Sequence, residues 1–155
     1  MAAQPQDLGP QLSLEADAIV RQATEEARDL GQQSVKPEHV LLALLLDAES
    51  PTAQALRGLR LTYDRVREVV GLAEVAGRPP SAPALEWSRA ALLVLERAAD
   101  DATYRGAERV RPAHLLVALD PFEESIARVF AGLRPRLRPH DFVKAARSVP
   151  GLDEP

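Results

Sequence analysis

At 155 residues with a formal net charge of −4, the chain has room for one compact domain burying about two-thirds of its unfolded surface, and the charge argues against a general nucleic-acid binder. Hydrophobic residues make up 46% and aromatics only 4%; an apolar weight resting on alanine, leucine and valine favours closely packed helices and so an all-α protein. The absence of cysteine excludes a disulfide framework, a thiolate nucleophile and a cysteine metal site, and fits a reducing compartment.

In chain order, residues 1–10 ("MAAQPQDLGP") have neither a cationic nor an apolar leader segment and are expected to be disordered. Ser13 can cap a first helix with an inward stripe of Ile19, Ala23, Ala27 and Leu30, closed by Gly31 just past its end. Pro37 suits the first position of a second helix running through "VLLALLL" to about Ala48. Ser50-Pro51 starts a third helix ending near Gly58, and Thr62 a fourth ending near Gly71. The stretch "GLAEVAGRPPSAPALE" lacks helical periodicity, so 72–86 is expected to be a linker. Four further helices are expected over Ser88–Arg105, Pro112–Leu119, Pro121–Ala131 and Pro139–Arg147, the third with Asp120 and Glu123 at capping-box spacing. Residues 148–155 are expected to be a disordered tail. No apolar run approaches the roughly 20 residues of a membrane span, so a cytoplasmic protein without membrane contact is expected.

The second set of helices copies the first. Ser13 falls on Ser88, Ile19 on Val94, Gly31 on Gly106, Pro37 on Pro112 and His39 on His114, each 75 residues on, which indicates an internal duplication. A helix apolar nearly all round belongs at the centre of a bundle, so Val40–Leu46 and Leu115–Leu119 are expected to form the middle of one shared core. Half-units of about 60 residues make marginal cores alone, and a single pseudo-twofold domain of about eight helices is the consistent reading.

The paired motifs "EEARDLG", "KPEHVLLALL" and "AQALRGL", then "DDATYRG", "RPAHLLVAL" and "ARVFAGL", resemble the double motif of the Clp ATPase N-terminal domain, particularly the ClpC type. The resemblance spans 12–147, with repeat one over 12–71 and repeat two over 87–147. It implies a bundle of two four-helix repeats that receives substrates and adaptors for an ATP-driven unfoldase and protease. No Walker A sequence G-x-x-x-x-G-K-[ST] is present, so this chain is expected to act as a stand-alone, non-enzymatic module needing no cofactor and no metal.

The resemblance also implies two phosphoarginine sites, one per repeat, in which a serine or threonine at the start of the first helix and backbone amides hold the phosphate. The glutamate of x-x-E-H would hold the guanidinium. Carried over by position, the first site uses Ser13 and Glu38. The second uses Ser88 but has Ala113 in place of the glutamate, and is expected to be degenerate. Each residue has an ordinary reading beside this one: Ser13 and Ser88 as N-caps, and Glu38 as a first-turn acid favourable with the helix dipole.

The family further implies a hydrophobic groove between the first helices of the repeats, which in relatives takes cyclic peptide antibiotics. Here it would use Leu12, Trp87, Arg89 and Leu92, with Trp87 acting as anchor or as a staple for its own helix. His39 and His114 read as structural imidazoles, with His140 on a separate segment. The expected partners are a peptide or protein ligand, a phosphoarginine-bearing protein or a cyclic peptide natural product, and a Clp ATPase or protease. The roles open to it are adaptor, competitor and sequestering protein. The alternative is a regulatory protein binding nucleic acid or an acidic partner through Arg134, Arg136, Arg138, Lys144 and Arg147.

Overall fold

The computed structural model describes residues 11–73 and 85–153; the N-terminal segment 1–10 and most of the expected linker lie outside the described residues. Among those described, eight helices follow one another: α1 (Leu14–Asp29), α2 (Pro37–Leu46), α3 (Pro51–Arg57), α4 (Tyr63–Ala73), α5 (Arg89–Tyr104), α6 (Pro112–Ala118), α7 (Glu124–Gly132) and α8 (Pro139–Arg147). Two short strands, β1 (Ser34–Val35) and β2 (Glu86–Trp87), pair in parallel.

Local chemistry sets the helix ends. Ser13 accepts from the Ala16 amide at 3.1 Å, and Ser88 accepts from the Ala91 amide at 3.1 Å. At the far ends, Gln32 donates to the Ala27 carbonyl and Ala107 to the Ala102 carbonyl, each at 2.9 Å. Both closures need a left-handed residue, supplied by Gly31 (φ 70°) and Gly106 (φ 75°). Helices α2 and α6 both begin with proline, and their third residues are His39 and His114.

The structure departs from expectation at α7. That helix begins at Glu124 rather than Pro121, because Glu123 is itself the cap, accepting from the Ser125 and Ile126 amides. Asp120 instead accepts from the Phe122 amide at 2.9 Å, closing a turn ahead of the helix. The inward face of α1 is also rotated slightly. Ala16, Val20, Ala23 and Ala27 are buried, while Ile19 and Leu30 are only partly so.

Helices α2 and α6 occupy the centre. Every residue of α2 from Pro37 to Leu45 is buried, as are Ala113 to Leu116 and Ala118 of α6. Helix α1 packs on α2 and α5 on α6, and α2 contacts α5, α6 and α7, so the two repeats share one core.

The halves are joined by an exchange of extended residues. Val35 pairs with Trp87, and Leu12 bridges to Val110. Leu12 and Trp87 are equivalent in the duplication, as are Val35 and Val110. Each repeat therefore lends the residue before its first helix to the residue before the other repeat's second helix. Residues 148–153, expected to be disordered, are held: Val149 and Leu152 are buried, and His114 Nε2 lies 3.0 Å from the Leu152 carbonyl. Arg105 also pairs with both Asp101 and Asp153.

The two histidines explain the helix starts and create an acid sensitivity. His39 Nδ1 accepts from the Lys36 amide at 2.8 Å and His114 Nδ1 from the Arg111 amide at 2.9 Å. Each ring must therefore be neutral, with its proton on Nε2. Burial pushes His39 down to about 4, outweighing the nearby Glu38, and burial also lowers His114. Because the unfolded chain binds these protons first, stability is complete above about pH 6.5 and is lost as pH falls from there towards 4. Urea unfolding at stepped pH should show a loss on the order of 3 kcal/mol from His39 alone, shrinking in His39→Gln; a flat profile across that window would contradict the assignment.

Candidate functional site

The exchange of extended residues decides which side chains meet. Ser13 donates its amide to the Val110 carbonyl at 2.9 Å, and Val110 donates to the Gln11 carbonyl at 2.7 Å. This sets the start of α1 against the start of α6, and between them opens a seam cavity of about 970 Å³. Repeat one contributes Ser13, Ile19 and Leu44 to it, and repeat two contributes Arg111, Pro112 and Ala113. The held tail adds Val149 to Gly151 as one wall.

Of the residues expected to pair within each repeat, Ser13 lines the seam cavity together with Ala113, and Glu38 is not among its walls. On the other side, Ser88 donates its amide to the Val35 carbonyl at 2.9 Å, which sets it beside the start of α2, where Glu38 lies in the first turn. The backbone exchange thus brings the start of α5, with Ser88, to the end of α2 that carries Glu38 from the opposite repeat. The couple lacking its carboxylate is Ser13 with Ala113. Both serines accept a cap bond and retain a hydroxyl proton to donate. Glu38 is only 2% exposed, so a ligand group reaching it displaces whatever covers it.

The residues expected to line a hydrophobic groove differ in exposure. Leu12 and Trp87 are 6% and 7% exposed and belong to the core. The Trp87 indole donates to Thr24 Oγ1 at 3.2 Å, a bond from repeat two onto α1. Leu92 is half-buried and Arg89 exposed. The tryptophan is buried as the repeat-two member of the bridge.

The C-terminal cations Arg134, Arg136, Arg138, Lys144 and Arg147 are all exposed. Arg134 turns back to donate to the Ala131 and Leu133 carbonyls at 2.8 and 3.0 Å, closing the end of α7. Arg147 lines a separate cavity of about 290 Å³ with Arg97 and Asp120. Among the described residues, no group of three or more His, Asp or Glu side chains is gathered as a metal would require, and no helix is long and apolar enough to cross a membrane.

One buried polar cluster escaped the sequence reading. Glu26 is 1% exposed on α1, accepts from Tyr63 Oη at 2.8 and 2.9 Å, and pairs with Arg67 at 2.9 Å, tying α1 to α4. Burial and the bond to Glu26 push the Tyr63 phenol up. The available signal was the position of Glu26 beside Ala23 and Ala27, on the inward edge of its helix.

The model of the Clp repeat (R) N-terminal domain matches residues 11–131. The chain belongs to the Clp repeat N-terminal domain family. It is 30% identical over 112 residues to the chaperone protein ClpB of Oceanobacillus iheyensis, covering 72% of this chain and 14% of that protein. It is 31% identical over 123 residues to the ATP-binding subunit ClpC of the Clp protease of Staphylococcus aureus, covering 79% of this chain and 15% of the relative. The chain thus spans about one-seventh of the curated relatives it matches. Among solved structures, the ClpD N-terminal domain from Arabidopsis thaliana superposes with a TM-score of 0.72 at 22% identity, covering 90% of this chain and 94% of that one. A ClpV N-domain in complex with a VipB peptide gives a TM-score of 0.70 at 14% identity, covering 99% and 96%. The eight-helix, two-repeat bundle is that of a Clp N-domain.

In this Clp N-domain, Arg67 is the cation for a carboxylate that water cannot reach. Arg67→Met should cost about 1.5–3 kcal/mol in urea unfolding, the price of a lost charge-assisted bond. Adding Glu26→Gln should restore part of it. A cost under about 0.5 kcal/mol, as for a surface pair, would show that solvent takes over the role of Arg67.

Proposed function

We propose that this Clp N-domain is a non-enzymatic capture module of the cytoplasm that receives peptide or protein ligands. It works as an adaptor handing cargo to a Clp ATPase and protease, as a competitor of that machine's own N-domain, or as a sequestering protein. All three roles need the same chemistry, which is a seat that grips a segment of another chain. The fold supports the reading, since a Clp N-domain of the same architecture is known in complex with a VipB peptide.

The observation that carries the proposal further is the crossed pairing of Ser88 with Glu38. The start of α5, a helix of 16 residues, offers free amides and the Ser88 hydroxyl to an anion. Glu38 supplies a carboxylate for a guanidinium, which it can meet with two parallel bonds. The resemblance to the ClpC type implies phosphoarginine, which joins an anion to a guanidinium, and we assign that ligand to this seam. The opposite seam has Ala113 where the carboxylate would stand, so it lacks the same grip. A cyclic peptide natural product belongs to the same reading, with exposed Arg89 and half-buried Leu92 beside the buried Trp87 as the groove it would use.

Free phosphoarginine should raise the melting temperature of the wild-type domain in a thermal-shift titration. Glu38→Ala and Ser88→Ala should each weaken the midpoint by about ten- to a hundredfold, the cost of a charge-assisted bond, while Ser13→Ala leaves it in place. A response that survives Glu38→Ala but disappears in Ser13→Ala would overturn the crossed assignment.

A further inference from the structure

The cavity between the starts of α1 and α6 is open, and its chemistry differs from that of the Ser88–Glu38 seam. We infer that it is a second seat, selective for an unphosphorylated peptide segment that sets an aliphatic side chain beside lysine or arginine. This rests on the capture reading above but not on phosphoarginine.

The cavity's volume of about 970 Å³ lies at the upper end of pockets that enclose sizeable ligands, enough for a short segment rather than a single ion. Its walls include Ile19, Leu44, Pro112, Ala113 and Val149. Ala113 is 5% exposed, and its methyl stands where the family's glutamate would place a charge. An apolar floor has thereby replaced a polar one. Exchanging a carboxylate for a methyl at a buried wall favours an aliphatic guest and removes the group that would hold a guanidinium in that position.

The rim has the opposite character. Glu15, Asp47, Glu49 and Glu108 border the cavity, all are exposed, and none of the ion pairs formed among the described residues involves them. The two arginines at the rim are already engaged. Arg111 donates to the Gly151 carbonyl at 3.4 Å, and Arg109 has interactions of its own. Four carboxylates from three separate segments thus face the cavity mouth against two arginines, which leaves the rim net negative. A phosphate or an acidic segment meets repulsion there, whereas a lysine or arginine flanking a buried aliphatic side chain meets complementary charge. Leu14, 88% exposed between the two lining residues Ser13 and Glu15, adds an uncovered apolar group at the same edge.

The probe is a fluorescein-labelled pentapeptide, Gly-Lys-Leu-Lys-Gly, titrated by anisotropy against the whole chain, with Gly-Glu-Leu-Glu-Gly and Gly-Lys-Ser-Lys-Gly as controls. The first peptide should bind, and both controls should bind at least about tenfold more weakly. Glu15→Gln with Glu108→Gln, two exposed positions whose change leaves the core intact, should weaken the first peptide by about tenfold, and added salt should do the same. Ala113→Phe, which fills the floor, should abolish binding. Glu38→Ala should leave it unchanged, which separates this seat from the phosphoarginine seam. Equal binding of the acidic peptide, wild-type affinity in the Glu15/Glu108 double variant, or loss of binding in Glu38→Ala would each overturn the inference.

Discussion

The structure depends on two short backbone exchanges. Leu12 with Val110 and Trp87 with Val35 are isolated extended pairs in an otherwise helical protein. Each crosses from one repeat to the other. An isolated two-residue parallel pair contributes little by itself. Its strength here comes from placement, since all four of these residues are buried and water cannot compete for the backbone groups. The pairs fix where α1 starts relative to α6 and where α5 starts relative to α2, and they do so before any side chain at those starts is chosen.

That constraint explains why the duplicated domain has seams rather than two self-contained sites. A gene duplication that merely placed two half-bundles side by side would keep each serine with the glutamate of its own repeat. The exchange gives each repeat's serine to the other. One half can then lose its carboxylate, as at Ala113, and change only the seam shared with the opposite half's serine. The two seams can therefore differ in their side chains while the core of α2 and α6 is unchanged. Burial of His39 and His114 supports both starts in the same way, with each ring accepting the amide that precedes its proline.

Much of the fold was legible because helix termini carry local chemistry. Prolines at the first positions of α2, α3, α6 and α8, serine caps at α1, α3 and α5, and glycines after α1 and α5 placed these ends within a residue or two. At α7 the cue misled: Asp120-Pro121 looks like a helix start, but the turn closed by Asp120 consumes those residues, and Glu123 caps instead. The candidate residues were legible one at a time, as serines at helix starts and a glutamate after a proline, but their pairing was not. Two-residue parallel contacts leave no periodicity in sequence, and register across 75 residues cannot be read from composition. The burial of Leu12 and Trp87 as the apolar anchors of the exchange was not legible for the same reason. It also left residues 148–153 as a tail, although Val149 and Leu152 complete the core.

Amide hydrogen exchange at Ser13, Ser88 and Val110, followed by NMR near neutral pH where both buried histidines are uncharged, tests the crossed arrangement most directly. All three amides donate across the repeats. They should exchange as slowly as the central amides of α2 and α6, through global unfolding alone. Fast exchange at Ser13 and Ser88 beside protected central helices would mean that the halves do not hold each other's helix starts, and the crossed seams would not exist.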